Sequence, residues 1–305
     1  GSNSQLIYYI EGSGGLFKVD SNGVVSINGS LDYESNTSFS FTVFAQESLT
    51  PEKWKANCTV TVNLSDVNEY DPEFTKTSYY ALIEENKAAG FEVVTLNADD
   101  KDGYFNSISY TILSGNDEGL FTLNHTSGVV TTTGGIDRET TEDTFILKIQ
   151  ASDNGNPNRT SETFLVIEIF DANDHSPIFT KAWYNTTIPE SLPVGTIVLT
   201  VKATDLDTNA TNSDVRYFVL NSDGKFDVNP TTGQVFVNGS LDFETKSTYT
   251  FMIFAEESHT TAKQQHNASI SITLTDINEF DPVFNSSIYR GNITENSPTG
   301  TSIIQ

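Results

Sequence analysis

Pairs of carboxylates one residue apart recur along this chain. Asp32-x-Glu34, Asp137-x-Glu139 and Asp242-x-Glu244 form one set, and Asp100-x-Asp102 and Asp205-x-Asp207 form another. In an extended segment residues i and i+2 project to the same side, so each pair presents its oxygens together. Two chemistries use such pairs. A glycosidase sets an acid and a nucleophile or base across one bond, whereas a calcium ion gathers about six to eight hard oxygen ligands, more than one loop supplies. A catalytic pair occurs once per cleft. These pairs recur alongside Asp-x-Asn segments at Asp66, Asp171 and Asp276, so the expectation is cation binding and not hydrolysis.

The elements that position these acids follow a fixed period. The segments LSDVNEYDPEF from Leu64, IFDANDHSPIF from Ile169 and LTDINEFDPVF from Leu274 align, and successive first aspartates are 105 positions apart. SLDYE, GIDRE and SLDFE repeat in phase, as do NADDKD and KATDLD. A period of this size is that of a small β-sandwich. Pro72, Pro177 and Pro282 mark where a new unit begins, because proline ends a hydrogen-bonded ladder. The expected organisation is a partial repeat over 1–71 that lacks its opening strands, full repeats over 72–176 and 177–281, and the first strands of a further repeat over 282–305. Repeats one and three share FAQES against FAEES and a common NGSLD, which suggests duplication of a two-repeat unit.

Before each acidic linker apolar residues alternate: Cys58, Val60, Val62, Leu64; Leu165, Ile167, Ile169; Ala268, Ile270, Ile272, Leu274. Period two predicts half-buried strands, with Cys58 inward as a small buried hydrophobe and Asn57, Asn63 and Asn267 outward. About seven strands are expected in the second repeat, separated by turns such as HTSGVV and DNGNP. No helical periodicity is sustained. Trp54 and Trp183 are expected to pack, Trp183 with partial burial. His125, His175, His259 and His266 stand singly, without zinc spacing, and are expected at the surface.

With 41 acidic and 16 basic residues and a net charge of -25, nucleic acid is excluded as an expected partner, since phosphate binding needs clustered Lys and Arg. The 20 Phe and 12 Tyr argue for a folded chain and not a solvated acidic coil. One cysteine permits no internal disulfide, which leaves metal as the staple. Sequons at Asn28, Asn36, Asn57, Asn63, Asn124, Asn158, Asn185, Asn209, Asn238, Asn267, Asn285 and Asn292 point to glycosylation and passage through a secretory route. No apolar run is long enough to span a bilayer, so any anchor is expected outside this piece. No G-x-S-x-G, phosphate loop or dinucleotide fingerprint is present, and neither an enzyme nor a small-molecule substrate is expected.

Together these motifs resemble the cadherin family over essentially the whole chain: D-x-N-D-N-x-P-x-F in the linker, L-D-R-E, A-x-D-x-D-x-G, a first-strand glutamate and an A-x-D before the last strand. The resemblance implies an all-β fold of tandem seven-stranded Greek-key β-sandwiches in a linear rod, with about three calcium ions per complete junction. By position, the middle junction would use Glu85, Asp137, Glu139, Asp171, Asn173, Asp174, Asp205, Asp207 and Glu257, with backbone oxygens of Ala172 and His175. The first would use Asp32, Glu34, Asp66, Asn68, Glu69, Asp100, Asp102 and Asp153, with Val67 and Tyr70. The last would use Glu190, Asp242, Glu244, Asp276, Asn278 and Glu279, with Ile277 and Phe280.

Departures fall at Glu69 and Glu279, where the family has aspartate, at Tyr70, His175 and Phe280, where it has asparagine, and at Glu257, which lengthens an expected aspartate. Ser191 stands where an asparagine follows the first-strand glutamate. The expected function is calcium-dependent adhesion or recognition at the cell surface between cadherin-type ectodomains, by a segment of a single-pass membrane protein. A partnerless mechanical spacer and a calcium-stiffened extender of a bacterial adhesin are the alternatives.

Overall fold

The computed structural model describes residues 5–304; residues 1–4 of the first expected repeat and Gln305 of the last lie outside them. The chain forms two compact units, one ending at Ala172 and one starting at Asn173.

The first unit opens with β1 (Leu6–Glu11), β2 (Phe17–Val19), β3 (Val25–Ile27), β4 (Ser38–Glu47) and β5 (Lys55–Asn63). Strands β1, β4 and β5 make one antiparallel sheet, and β2 pairs with β3. Next come β6 (Glu73–Phe74), β7 (Tyr79–Glu84), β8 (Glu92–Thr95), β9 (Ala98–Asp99), β10 (Ser109–Ser114), β11 (Phe121–Leu123), β12 (Val129–Thr132), β13 (Thr144–Ser152) and β14 (Thr160–Phe170). Their main sheets are ordered β10-β13-β14-β7 and β11-β12-β8, with β7 parallel to β14. Seven of these strands have three or more residues, as the turn spacing predicts.

The second unit repeats this plan. It contains β15 (Ile178–Phe179), β16 (Trp183–Pro189), β17 (Ile197–Thr200), β18 (Ala203–Thr204), β19 (Val215–Leu220), β20 (Phe226–Val228), β21 (Gln234–Val237), β22 (Thr248–Glu257) and β23 (Gln265–Thr275), in sheets β16-β23-β22-β19 and β17-β21-β20. A four-residue helix, α1 (Ala210–Ser213), is capped by the Asn209 side chain. Both are Greek-key sandwiches.

Alternation builds the cores. Leu165, Ile167 and Ile169 on β14 face Leu147 and Ile149 on β13, and Ala268, Ile270, Ile272 and Leu274 on β23 do the same in the second unit; all are buried. Burying each such aliphatic side chain contributes about 1.5–3 kcal/mol. The β1–β5 core is smaller, with Phe17, Phe41 and Val43 buried.

Three expectations are corrected. Cys58 sits opposite Val43, on the inward phase, yet it is exposed. At the same register Thr163 is buried and donates to the carbonyl of Thr77, on the segment leading into β7. Among the described residues no strand runs parallel to β5 as β7 runs beside β14, so the phase is right and the cover is absent. Trp54 and Trp183 are 71% and 64% exposed. Trp183 lies on the solvent face of β16 because its neighbour Tyr184 takes the inward position. Finally, residues 276–304 contain no strand; opening strands such as β7 and β16 pair with the last strand of their own sandwich, and no such partner is present among the described residues after Asp276.

Candidate metal centre

The first-junction acids come together inside the first unit, on four stretches of chain. Asp32 and Glu34 follow β3, Asp66 to Tyr70 follow β5, and Asp100, Asp102 and Asp153 lie after β9 and β13. Oxygens of Asp32, Glu34 and Glu69 lie within 4.8 Å of one another, as do those of Glu34, Asp66 and Asp102 and those of Asp100, Asp102 and Asp153. Glu34 and Asp102 each belong to two groups, so the acids form one continuous chain. Ligands about 2.3–2.6 Å from a shared calcium ion stand up to about 5 Å apart, so these spacings suit one.

Backbone donors fix these carboxylates and, in Asp100 and Asp153, leave one oxygen open. Asp66 accepts from Val67 N (2.8 Å) and Tyr104 N (2.7 Å), and Asp102 accepts from Glu69 N (3.4 Å) and Tyr70 N (3.3 Å). Asp100 Oδ1 accepts from Asp102 N at 3.0 Å, and Asp153 Oδ1 accepts from Gly155 N and Arg159 N. The remaining oxygens, Asp100 Oδ2 and Asp153 Oδ2, are buried without any protein donor, and so is Asn68 Oδ1. Burying an acceptor with no partner costs about 1–3 kcal/mol, more when charged. A hard cation satisfies all three, so these residues fit calcium.

The electrostatics agree. Burial pushes Asp100 above its ordinary value, and burial with repulsion from Asp66 raises Glu34. Asp32 is held low because Ser35 Oγ donates to it at 2.7 Å.

The acids expected at the middle junction divide between the units. In the first, Glu85 is buried and accepts from Ala172 N (2.7 Å) and Arg138 N (2.6 Å). Its oxygens gather with those of Asp137 and Glu139. Glu139 is pushed up to about 7, first by burial and then by its contact with Asp171. In the second unit, Asp207 N donates to Asp205 and His175 N donates to Asp207, both at 3.1 Å. His175 Nδ1 also lies 2.8 Å from Asp174 Oδ1.

Glu257 is fully buried despite its extra methylene; Oε2 receives Asn173 Nδ2 (3.0 Å), Gln264 N and Thr260 Oγ1, while Oε1 has no protein donor. Asp205 Oδ2 and Asn173 Oδ1 are buried and unpaired in the same way. Of the last set, Glu190 accepts from Phe243 N (2.6 Å) and Ile277 N (2.9 Å), and Asp242 receives Thr245. Glu244, Asp276, Asn278, Glu279 and Phe280 are exposed.

Motif reading missed the residues that hold the linker. Arg159 Nε donates to Asn68 O (3.0 Å) and its Nη1 to Asp71 (2.8 Å), and Asn68 Nδ2 donates to Pro157 O (3.0 Å). A Cβ on Gly155 would lie 2.1 Å from Asn68 Nδ2, so only glycine allows this approach. The one signal in the sequence was the DNGNP turn, which specifies a tight loop but not its neighbour.

Known proteins share the fold. The Cadherin domain profile matches residues 1–65, 79–170 and 184–275. Human Protocadherin Fat 4 is 34% identical over 308 residues, covering 99% of this chain and 6% of the relative. Human Cadherin EGF LAG seven-pass G-type receptor 1 is 33% identical over 315 residues, covering 100% and 10%. Among solved structures, mouse Cadherin-23 EC22-24 superposes with a TM-score of 0.74 at 27% identity, over 91% of this chain and 88% of that one. Protocadherin Gamma B7 extracellular cadherin domains 1-4 give 0.76 at 29%, over 98% and 74%.

The tandem sandwiches are those of cadherin domains. The chain belongs to the cadherin family. It spans a tenth or less of the length of these curated relatives.

Proposed function

We propose that this chain is a calcium-bridged segment of a cell-surface adhesion ectodomain, with repeats at 1–71, 72–176 and 177–281 and a further one from 282, and with about three ions per complete junction. The observation that carries the reading is the set of buried, donorless oxygens on Asn68, Asp100 and Asp153 beside the overlapping acid groups. Bound calcium would neutralise these acids and complete their coordination. The chain's own part is to position them: Tyr104 N and Val67 N hold Asp66, while Glu69 N and Tyr70 N tie Asp102 to the linker. The linker of one repeat is thereby fastened to the loops of the next.

Cell-surface passage is supported by the exposure of all twelve sequon asparagines. No helix among the described residues is long and apolar enough to cross a membrane. The proposed partners are other cadherin-type ectodomains.

Calorimetric titration of the metal-free chain with calcium tests the reading. Saturable binding is expected, with a rise in melting temperature equivalent to about 2.7 kcal/mol per site at a hundredfold excess over Kd. No heat, with identical melting in calcium and in chelator, would sink it.

A further inference from the structure

Among the described residues four sequon asparagines lie within strands, and two of them stand opposite an aromatic ring. Asn57 on β5 pairs with Phe44 on β4, and Phe44 pairs in turn with Tyr9 on β1. The half-buried rings of Tyr9 and Phe44 stack, with centroids 4.9 Å apart and planes 7° from parallel. The third repeat has the same row: Asn267 on β23 pairs with Phe254 on β22, which pairs with Phe218 on β19, and those rings stack at 5.1 Å and 7°. Both asparagines are exposed. The other two strand sequons lack a ring, since Asn63 pairs with Ser38 and Asn185 with Ser271.

The middle repeat has neither part. At the same register Glu162 pairs with Gln150, and Gln150 with Thr111. Ring stack and sequon are thus present together in two repeats and absent together in the third.

A ring stacked on one strand neighbour has its other face turned to the opposite neighbour, where the asparagine stands with Cβ atoms about 5 Å apart. An N-linked glycan begins with N-acetylglucosamine on the amide nitrogen of that asparagine. One face of the sugar ring presents only C–H bonds, which carry partial positive charge, and the face of a Phe ring is the negative end of its quadrupole. Stacking the two also removes apolar surface from water. Covalent attachment selects this occupant, because a tethered group meets the ring at an effective concentration that no dissolved partner matches. In the first repeat Lys55 Nζ lies 5.3 Å from the Phe44 centroid, where the third repeat has Gln265 at the same register. In the third repeat Trp183, 64% exposed, pairs with Ser269 and so stands diagonal to Asn267. Both differences favour the Asn267 site.

We propose that the Tyr9–Phe44 and Phe218–Phe254 stacks are platforms for the N-linked glycans of Asn57 and Asn267, holding the first N-acetylglucosamine of each against the sheet. The inference rests on the cell-surface reading above, through its secretory passage, and is independent of the calcium assignment.

The full chain, made in glycosylating cells and kept in calcium, tests it. Peptide-N-glycosidase acting on the folded protein, followed site by site by mass spectrometry, is expected to free the glycans of Asn57 and Asn267 about two- to tenfold more slowly than those of Asn63 and Asn185. Phe254→Ser is expected to abolish the protection at Asn267, and Phe44→Ser the smaller protection at Asn57. Carbon-13-labelled N-acetylglucosamine reads the contact itself: ring currents are expected to move two acetyl methyl signals upfield, and Phe254→Ser to return one of them. Glu162→Asn with Phe164→Ser builds a sequon in the middle repeat, and its glycan is expected to leave at the unprotected rate until Gln150→Phe and Thr111→Tyr supply the rings. This gain of protection stands even where Phe254→Ser fails to fold. Asn57 and Asn267 found bare, or glycosylated with unshifted acetyl signals and unprotected release, would overturn the platforms while glycans elsewhere keep the cell-surface reading in place. A secreted chain bare at every sequon would overturn both.

Discussion

The loop after β13 in the first unit and the loop after β22 in the second solve one problem with different residues. In the first, Asp153 accepts from Gly155 N and Arg159 N, and Arg159 reaches the carbonyl of Asn68. In the second, Glu257 takes the acid's place, and Gln264 Nε2 donates to the carbonyl of Asn173 at 3.2 Å. Asp153 N bonds Arg159 O and Glu257 N bonds Gln264 O, each at 3.1 Å, so the backbone frame is common to both. Each acid ends with one oxygen buried and donorless. What is preserved is the position of a free carboxylate oxygen and of a donor to the linker asparagine, while side-chain length and charge vary.

The largest test of this equivalence is to remove each acid. Asp153→Ala and Glu257→Ala are expected to weaken calcium binding by a similar factor, on the order of 10–100-fold. Calorimetry showing that Glu257→Ala binds as tightly as the unmodified chain would break the comparison.

Gly155→Ala comes next, since the added methyl must displace Asn68. An overpacking cost of about 1–3 kcal/mol is expected in thermal melting, with weaker calcium binding; melting unchanged in calcium would show that Asn68 is not held by this loop.

A smaller effect is expected from pH in the metal-free chain. The pKa of Glu139 is about 7, above its unfolded value of 4.5, because burial and Asp171 favour the proton. Between these values the folded state holds the extra proton, so stability falls as pH rises from about 4.5 to 7. Calcium competes with that proton, so its affinity at this cluster falls as pH drops below about 7. Melting curves with and without calcium across the window read both signs, and Glu139→Gln is expected to flatten them.

Smallest is Arg159→Gln, which installs the residue the second unit already uses. The Arg159–Asp71 pair is solvent-exposed and worth about 0–1 kcal/mol. Binding is expected within about twofold of the unmodified chain, because Gln keeps a donor for the Asn68 carbonyl, as Gln264 does for Asn173, and the ion pair lost is screened by solvent. A tenfold loss would mean that the positive charge, and not the hydrogen bond to Asn68, secures the linker.

Period-two alternation and the recurrence of acid pairs are local properties of the chain, so the strands, their inward residues and the acid sets were legible before any coordinates. Loss of cover over Cys58, outward placement of Trp183 beside inward Tyr184, and the strandless segment after Asp276 were not. The first and last depend on whether a partner strand lies alongside, and the second on which of two adjacent aromatic residues takes the inward phase; no local pattern states either.

By itself the sequence determined which residues alternate, which oxygens recur every 105 positions, and so which family these sandwiches join. Only the tertiary structure decided that Asn68 would rest against Gly155 and Arg159, about ninety residues on, and that Tyr9, Phe44 and Asn57 would stand in one row. Those contacts join residues far apart in the chain, and strand register alone brings them within reach of one another.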